Sequence, residues 1–356
     1  MESLVNFYRG RKVFLTGHTG FKGSWLTSVL LGLGAEVSGY ALAPQECGAL
    51  YTIAGLNGNS RVHSTIADVR DAEALLRALD RSEAEVVIHL AAQPIVREGY
   101  ERPAYTYETN VMGTVNLLEA ARHCPGVRSI LNVTTDKVYR NNEWERGYRE
   151  GDELDGYDPY SNSKSCSELV TATYRRSFFE ARGVAVSTAR AGNVIGGGDF
   201  ARDRLIPDCV RAAIAGKNVR LRNPHSVRPF QHVLEPVYAY LLIAMRQYET
   251  PELASSYNVG PEYEDCVTAG RLAELFCSEW GGGLRCETVS DGGPHEAGLL
   301  RLDCAHIKET LGWRPVWNIE RAVSETVRWT KVWQNGGDCA AEMRRESEEY
   351  LRCLKI

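Results

Sequence analysis

The chain has 356 residues, with 41 Lys or Arg against 46 Asp or Glu and a formal net charge of −5. Charges of both signs are mixed along it, which excludes the basic footprint of a nucleic-acid binder and leaves a small molecule as the expected partner. Its length exceeds the needs of one compact core, so a larger domain with a smaller one grafted on is expected.

Lys12 to Leu15 is a short apolar strand entering the turn Thr16-Gly17-His18-Thr19-Gly20-Phe21-Lys22-Gly23, and Phe21 to Leu33 then carries helical spacing until Gly34. Trp25 to Leu33 is interrupted by Thr27, Ser28 and Gly32, and Met1 to Gly10 lacks an apolar core, so neither membrane nor signal segment is expected. Glu36 to Leu42 predicts a second strand, Val62 to Ala67 a third and Val86 to Leu90 a buried fourth. Asp71 to Asp80, Tyr105 to His123 and Tyr160 to Arg182 read as helices, with strands at Ser129 to Val133 and Val184 to Ala189. Strands alternating with helices predict an α/β fold, a doubly wound parallel Rossmann sheet with right-handed crossovers. After Arg190 the rhythm breaks into loops bearing Gly196-Gly197-Gly198 and Asn223-Pro224 among shorter helices. The expected division is a dinucleotide-binding domain over 1–190, with returns near 235–260, and a smaller mixed α/β substrate-binding domain over most of 191–356, interleaved with it. A charged helix begins at Asp338. The ten cysteines, at 47, 124, 166, 209, 266, 277, 286, 304, 339 and 353, form no CxxC pair and read as reduced thiols of a cytoplasmic protein.

In the first β-α turn, glycines let the backbone approach a pyrophosphate while the helix N-terminus offers free N–H groups to its charge. The spacing is GxxGxxG, which makes Gly17, Thr19, Gly20, Phe21, Lys22 and Gly23 candidate cofactor contacts. A tight turn packing helix on sheet uses glycines in the same way without a ligand. Lys22 suits a phosphate or plain solvent. The end of the second strand, Gly39 to Pro44, holds neither an acid for the adenosine ribose nor an arginine for a 2′-phosphate, so NAD is favoured over NADP only by the missing cation. Asp68, followed by Val69, either accepts from an adenine amino group or caps the next helix.

Thr135-Asp136-Lys137 follows an apolar strand at the carboxyl edge, where doubly wound folds bind ligands. Tyr160 and Lys164, four apart, share a helix face. A neighbouring ammonium and a positive nicotinamide ring favour a phenolate, and lowering its pKa by about three units takes about 4 kcal/mol. Each motif alone has a bland reading, a turn cap for Asp136 or an exposed helix face for the Tyr-Lys pair. Their joint order behind a glycine turn points to nicotinamide redox chemistry coupled to acid/base elimination.

These residues resemble the extended short-chain dehydrogenase/reductase superfamily, and within it the nucleotide-sugar 4,6-dehydratase branch that acts on CDP-linked glucose. The resemblance rests on Gly17 to Leu26, His89-Leu90-Ala91-Ala92-Gln93-Pro94, Thr135 to Tyr139, Gly156 to Tyr160, Arg190 to Asp199 and Arg228 to Pro236. It implies a tightly bound NAD contacted also by Leu90, Ala91, Ala92, Gln93, Tyr160 and Lys164. It implies further that Tyr160, assisted by Thr135 and Lys164, takes the C4 hydroxyl proton as hydride leaves C4. Water is then lost across C5 and C6 with Asp136 as acid, and hydride returns to C6 to give a 4-keto-6-deoxy sugar. Lys137 stands where related dehydratases carry a glutamate base; it is either a neutral base or a cation pairing with Asp136 or the enolate.

A nucleoside diphosphate calls for arginine forks. By resemblance Arg204, Arg222, Arg228 and Arg301 are the candidates, with Asn193 and Thr135 at the sugar or phosphate; surface ion pairs are the alternative for any one arginine. The eight histidines show no HxH or HExxH spacing, so no metal is expected. Phe230 stands where tryptophan is expected and Gly99 where relatives tend to have serine, both away from the proposed chemistry. The resemblance also implies a homodimer or homotetramer through the helices Tyr105 to His123 and Tyr160 to Arg182, and a place in deoxysugar synthesis for bacterial surface polysaccharide such as O-antigen. A dehydratase or 4-epimerase of another nucleotide sugar, such as a GDP-linked one, is the second reading. An epimerase has no task for Asp136, and a redox-sensing binding protein has none for Thr135, Asp136, Tyr160 and Lys164 together.

Overall fold

The computed structural model describes residues 2–44, 49–289 and 298–354. Seven parallel strands form one sheet: β1 Lys12–Thr16, β2 Glu36–Ala41, β3 Val62–Ile66, β4 Val86–His89, β5 Ser129–Val133, β6 Ala185–Ala191 and β7 Ser256–Val259, in the order β7-β6-β5-β4-β1-β2-β3. Strand order reverses between β1 and β4, which puts the ligand-binding crevice at the carboxyl ends of those two strands. Alternation along each strand supplies both faces of the sheet. Val13, Leu15, Val86, Ile88, Leu131 and Val133 join one core with the helices Phe21–Gly32 and Leu234–Glu249, while Phe14, Val87 and Ile130 join the other with Leu117 and Leu118.

Each of the first six strands lies within about a residue or two of its predicted span. β7 was not predicted as a strand. It is only four residues long and its Asn258 is polar, yet it pairs parallel with β6 from Ser256↔Thr188 to Val259↔Ala191. A helix at Glu2–Tyr8 was also unread. The two long predicted helices contain breaks: a π turn at Glu108–Met112 precedes Gly113–His123, and Pro159–Tyr174 continues as a π turn at Arg175–Phe179.

Beyond β6 lies a smaller mixed α/β region. Its core joins Ile206, Cys209 and Val210 of the helix Leu205–Ile214, Leu272 and Phe276 of Ala269–Trp280, and Val323 and Val327 of Ile319–Gln334. Three two-stranded pieces edge it, Gln231–His232 on Val194–Ile195, Val267–Thr268 on Val227–Arg228, and Cys286–Thr288 on Val219–Leu221. The nine described cysteines are free, and Cys47 lies outside the described residues. No described helix is long and apolar enough to cross a membrane.

Candidate active site

Thr16 ends β1, and its Oγ1 lies 2.7 Å from His89 Nδ1 at the end of β4 and accepts the N–H groups of Leu90 (3.2 Å) and Ala91 (3.1 Å). That staple brings the next residue, Gly17, against β4. Gly17 has φ +77°, and a Cβ there would sit 2.8 Å from Ala91 N; at Gly23 a Cβ would sit 2.0 Å from Gly17 O. Only glycine fits either position. Gly20 caps the twelve-residue helix Phe21–Gly32 with no side chain, and no acid stands in its first turn. The cradle therefore fits a pyrophosphate, with Leu90, Ala91 and Ala92 half-buried along its other wall. Thr19 points elsewhere, its hydroxyl donating to Leu42 O at 2.9 Å. Gln93 is tied down by Asn110 and Thr106: its N–H donates to Asn110 Oδ1 (2.8 Å) and its Nε2 to Thr106 Oγ1 (2.9 Å).

Asp68 does not cap the following helix. Asp71 does, accepting from Ala74 N at 2.9 Å. The Asp68 carboxylate instead binds Arg70 through the backbone N–H (2.9 Å) and Nη2 (2.8 Å), which holds it below the usual aspartate range. Val69 is buried beneath Gly113, where a Cβ would meet its Cγ2 at 2.8 Å.

The predicted reactive groups stand at the carboxyl end of β5 and the start of the helix Pro159–Tyr174. Asp158 caps that helix and Pro159 opens it, so Tyr160 falls in the first turn and Lys164 one turn on. Thr135 caps the short turn Asp136–Val138. Its Oγ1 donates to Asp136 Oδ1 at 2.9 Å, and the same side chain lies close enough to the Tyr160 phenol to act on it, so acid and phenol belong to a single site. Lys137 Nζ donates to Asp136 Oδ1 and to Asn193 Oδ1, both at 3.0 Å. Asp136 is fully buried, and its Oδ2 has no hydrogen-bond partner among the described residues.

The expected depression of the tyrosine pKa by its lysine neighbour is not a property of these side chains alone. Burial pushes the Tyr160 phenol up to about 12, opposed by the nearby Thr135 side chain and aided by the Asp136 charge. The Lys164 ammonium donates to Val133 O at 3.0 Å. Burial lowers its pKa to about 8, with Glu168 holding it up. Lys22 is not a solvated lysine: its Nζ donates to Tyr240 OH at 3.2 Å, and burial beside Arg204, Lys164 and Lys137 lowers its pKa to about 7.

Of the predicted arginines, Arg204 reaches this centre, acting on both Tyr160 and Lys22 while paired with Asp199 at 3.2 Å. Arg228 is buried on a segment that runs beside 298–300, so it neighbours the segment carrying Arg301. Arg301 Nε is buried without a partner among the described residues, and its guanidinium lies 5.5 Å from the Tyr263 ring. Arg222 pairs with Asp203 (3.1 Å) and Asp208 (3.8 Å), the ion-pair alternative. Phe230 is buried in the smaller core. Gly99, read as remote, abuts the centre: a Cβ there would lie 3.2 Å from Tyr160 N.

Sequence reasoning missed Asn110, Glu168, Arg190 and Tyr240. Asn110 donates to Gln93 O (3.1 Å) and Ser163 Oγ (2.9 Å), locking the cofactor-side loop to the Tyr160 helix. Glu168 had a signal, since a third polar residue at the Tyr160 and Lys164 spacing extends one face. Tyr240 sits in a run that reads only as core.

A glycine cradle at the switch point and a Tyr-Lys pair beside it define a dinucleotide enzyme of the extended short-chain dehydrogenase/reductase class. The family model for GDP-mannose 4,6 dehydratase matches residues 14–326, and the chain belongs to that nucleotide-sugar dehydratase family. It is 45% identical to CDP-glucose 4,6-dehydratase of Salmonella typhimurium, over 97% of this chain and 98% of that one. To dTDP-glucose 4,6-dehydratase of Xanthomonas campestris pv. campestris it is 26% identical, over 90% of this chain and 94% of the relative. The dTDP-glucose 4,6-dehydratase of Streptomyces venezuelae, solved with NAD and TYD bound, superposes with TM-score 0.78 at 25% identity, covering 92% of this chain and 98% of that one.

Proposed function

We propose that this chain is an NAD-dependent lyase converting CDP-glucose to CDP-4-keto-6-deoxy-glucose and water. The observation that carries the reading is a buried acid, Asp136, bonded by Thr135 and Lys137, in one site with the Tyr160 phenol and Lys164. The Salmonella relative's substrate supports CDP-glucose over the GDP-linked alternative. A 4-epimerase leaves buried Asp136 without work.

NAD, when bound, supplies a hydride acceptor for C4 and a hydride donor for C6. Tyr160 takes the C4 hydroxyl proton; the positive ring and the Lys164 ammonium have the sign needed to offset its burial. Lys137 Nζ donates to Asp136 and to Asn193. Passing one proton along its bond to Asp136 Oδ1 creates a neutral amine and a carboxylic acid at once. The amine then takes the C5 proton, made acidic by the C4 ketone, as Asp136 protonates the departing C6 hydroxyl. Both side chains end in their starting states, so Lys137 acts as base and as cation at different moments. Four cations, Lys22, Lys137, Lys164 and Arg204, gather here and suit a diphosphate, with Arg228 and Arg301 as further forks. Cytoplasmic residence fits this substrate. A homodimer fits Met112, Leu169 and Phe178, which are exposed on the paired helices.

The test is incubation of the purified protein, with no cofactor added, with CDP-glucose and separately with GDP- and UDP-sugars. The alkali-induced absorbance of a 4-keto-6-deoxy product is expected from CDP-glucose alone; product only from another nucleotide overturns the specificity.

A further inference from the structure

The helix that presents Tyr160 and Lys164 presents a third polar residue to the same side, Glu168, one turn further on. It is buried to 2% exposure, and both its oxygens are bonded. Thr134 Oγ1 donates to Oε1 at 2.5 Å, while Thr188 Oγ1 and Arg190 Nη2 each donate to Oε2 at 2.8 Å. Arg190 is itself held by Tyr139 OH and Glu150 O, each accepting from Nη1 at 2.9 Å. The carboxylate thus clamps the residue between Val133, whose carbonyl receives the Lys164 ammonium, and Thr135, whose hydroxyl donates to Asp136. With Ser256 Oγ also donating to Oε2 at 3.5 Å, the carboxylate ties the residue after β5 to β6 and β7.

We propose that Glu168 is a positioning residue for the reaction: from beneath the site it holds the end of β5 and supplies the negative charge that keeps Lys164 an ammonium next to Tyr160. The inference rests on the proposed reaction, in which Tyr160 works as a phenolate and Lys164 must stay charged.

The remaining groups facing Lys164 argue for this need. Lys22, from the glycine-turn helix, offers no negative charge, its pKa lowered by burial to about 7, and His89, at the end of β4, is buried and neutral, its pKa lowered to about 3. Burial opposes the ammonium, and Glu168 is the acid that favours it. The pair with Arg190 leaves Glu168 nearly neutralised at a distance, yet its charge faces Lys164 from one helical turn away. At an effective interior dielectric of about 20, a charge one helical turn away shifts the lysine by about one to two pH units.

The sign follows directly. Removing the charge in Glu168→Gln, which keeps the shape, lets the Lys164 pKa fall further below its ordinary value. Lys164 then loses its proton at a lower pH than in the parent enzyme. The kcat ratio of variant to parent should therefore drop with rising pH, by about tenfold between pH 6 and pH 8, while KM for the nucleotide sugar stays put. A purely structural role predicts a ratio independent of pH and a lower thermal midpoint, and that result overturns the proposal.

Two further measurements keep the outcome decisive if the glutamine variant folds poorly or the substrate assignment fails. Selective 13C labelling of the eight lysines, with the Lys164 signal assigned through Lys164→Arg, follows its titration without any substrate. Its midpoint should fall in the glutamine variant. Glu168→Asp, which keeps the charge but shortens the reach, should retain the parent midpoint even where it loses stability. Equal midpoints in parent and glutamine variant, or an aspartate variant shifted as far as the glutamine one, overturn the proposal whatever the substrate proves to be.

Discussion

Two regions of this molecule bury charge, and they do so to opposite ends. In the cleft, Lys22, Lys137, Lys164 and Arg204 act on one another around Asp136, whose second oxygen has no partner among the described residues. Where the helices Ile319–Gln334 and Cys339–Cys353 meet, four glutamates face three arginines. Arg321 holds Glu325 (2.6 Å) and Glu349, Arg328 holds Glu342 (2.8 Å), and Arg345 holds Glu342 (2.8 Å), Glu349 (2.7 Å) and Glu325. The cleft keeps a surplus of basic groups, the form of a site that receives an anion. In the tail, arginines hold Glu325, Glu342 and Glu349 as a clasp, although Glu346 beside them has no hydrogen-bond donor among the described residues. Neither buried charge nor an open bond alone marks a functional site; the sign of the imbalance does.

The sharpest way to break this contrast is to remove the acid of the cleft. Asp136→Asn should still pass hydride to NAD, so that reduced nicotinamide accumulates on mixing with CDP-glucose, while product formation falls by about 10²- to 10⁴-fold. The thermal midpoint should hold or rise, because a buried acid with an unpartnered oxygen contributes little to the fold. Product formed at the parent rate would remove Asp136 from the chemistry.

The counterpart in the tail is Arg345→Met. It leaves Glu325, Glu342 and Glu349 short of a half-buried cation, and denaturant unfolding should show a loss of about 1–3 kcal/mol. Turnover per folded molecule should be unchanged. A fall in turnover without a fall in stability would join the two regions.

The cleft was legible in the sequence where its parts are contiguous. The glycine turn, Thr135-Asp136-Lys137 and the Tyr160-Lys164 spacing are local patterns, and each lies on the strand or helix that carries it. What stayed hidden depends on chain segments far apart. Asn258 makes β7 unreadable as a strand because its side chain serves Tyr139 OH (2.6 Å), Tyr148 O (2.8 Å) and Asp303 O (3.0 Å). The π turns escaped because one extra residue shifts the helical phase without removing the apolar pattern. Spacing put Lys164 on the face of Tyr160 but could not say that its ammonium would donate to Val133 O. Asp68 was offered adenine or a helix cap, and a third partner two residues away, Arg70, holds it. The tail read only as charged; its pairs lie between two helices, and only one of those was expected.

The smallest effect refines the clasp itself. Glu346 lies fully buried among Glu325, Glu342, Arg345 and Arg328, and neither of its oxygens has a hydrogen-bond donor among the described residues; His232 Nε2 lies 3.4 Å away and Arg345 Nη2 3.9 Å away. Burial, reinforced by the Glu325 charge, raises its pKa well above the ordinary value, while His232 is kept neutral by burial with its pKa lowered to about 3. A carboxyl whose folded pKa is raised adds stability that is complete below its unfolded pKa, about 4.3, and is lost as pH rises toward the folded value. The parent protein should therefore weaken relative to Glu346→Gln, which cannot ionise, as pH climbs from about 5 to about 8. Thermal unfolding across that range should show the gap widening by about 1 kcal/mol in favour of the glutamine. A constant gap would mean that Glu346 is already ionised in the fold and that its charge belongs with the paired glutamates.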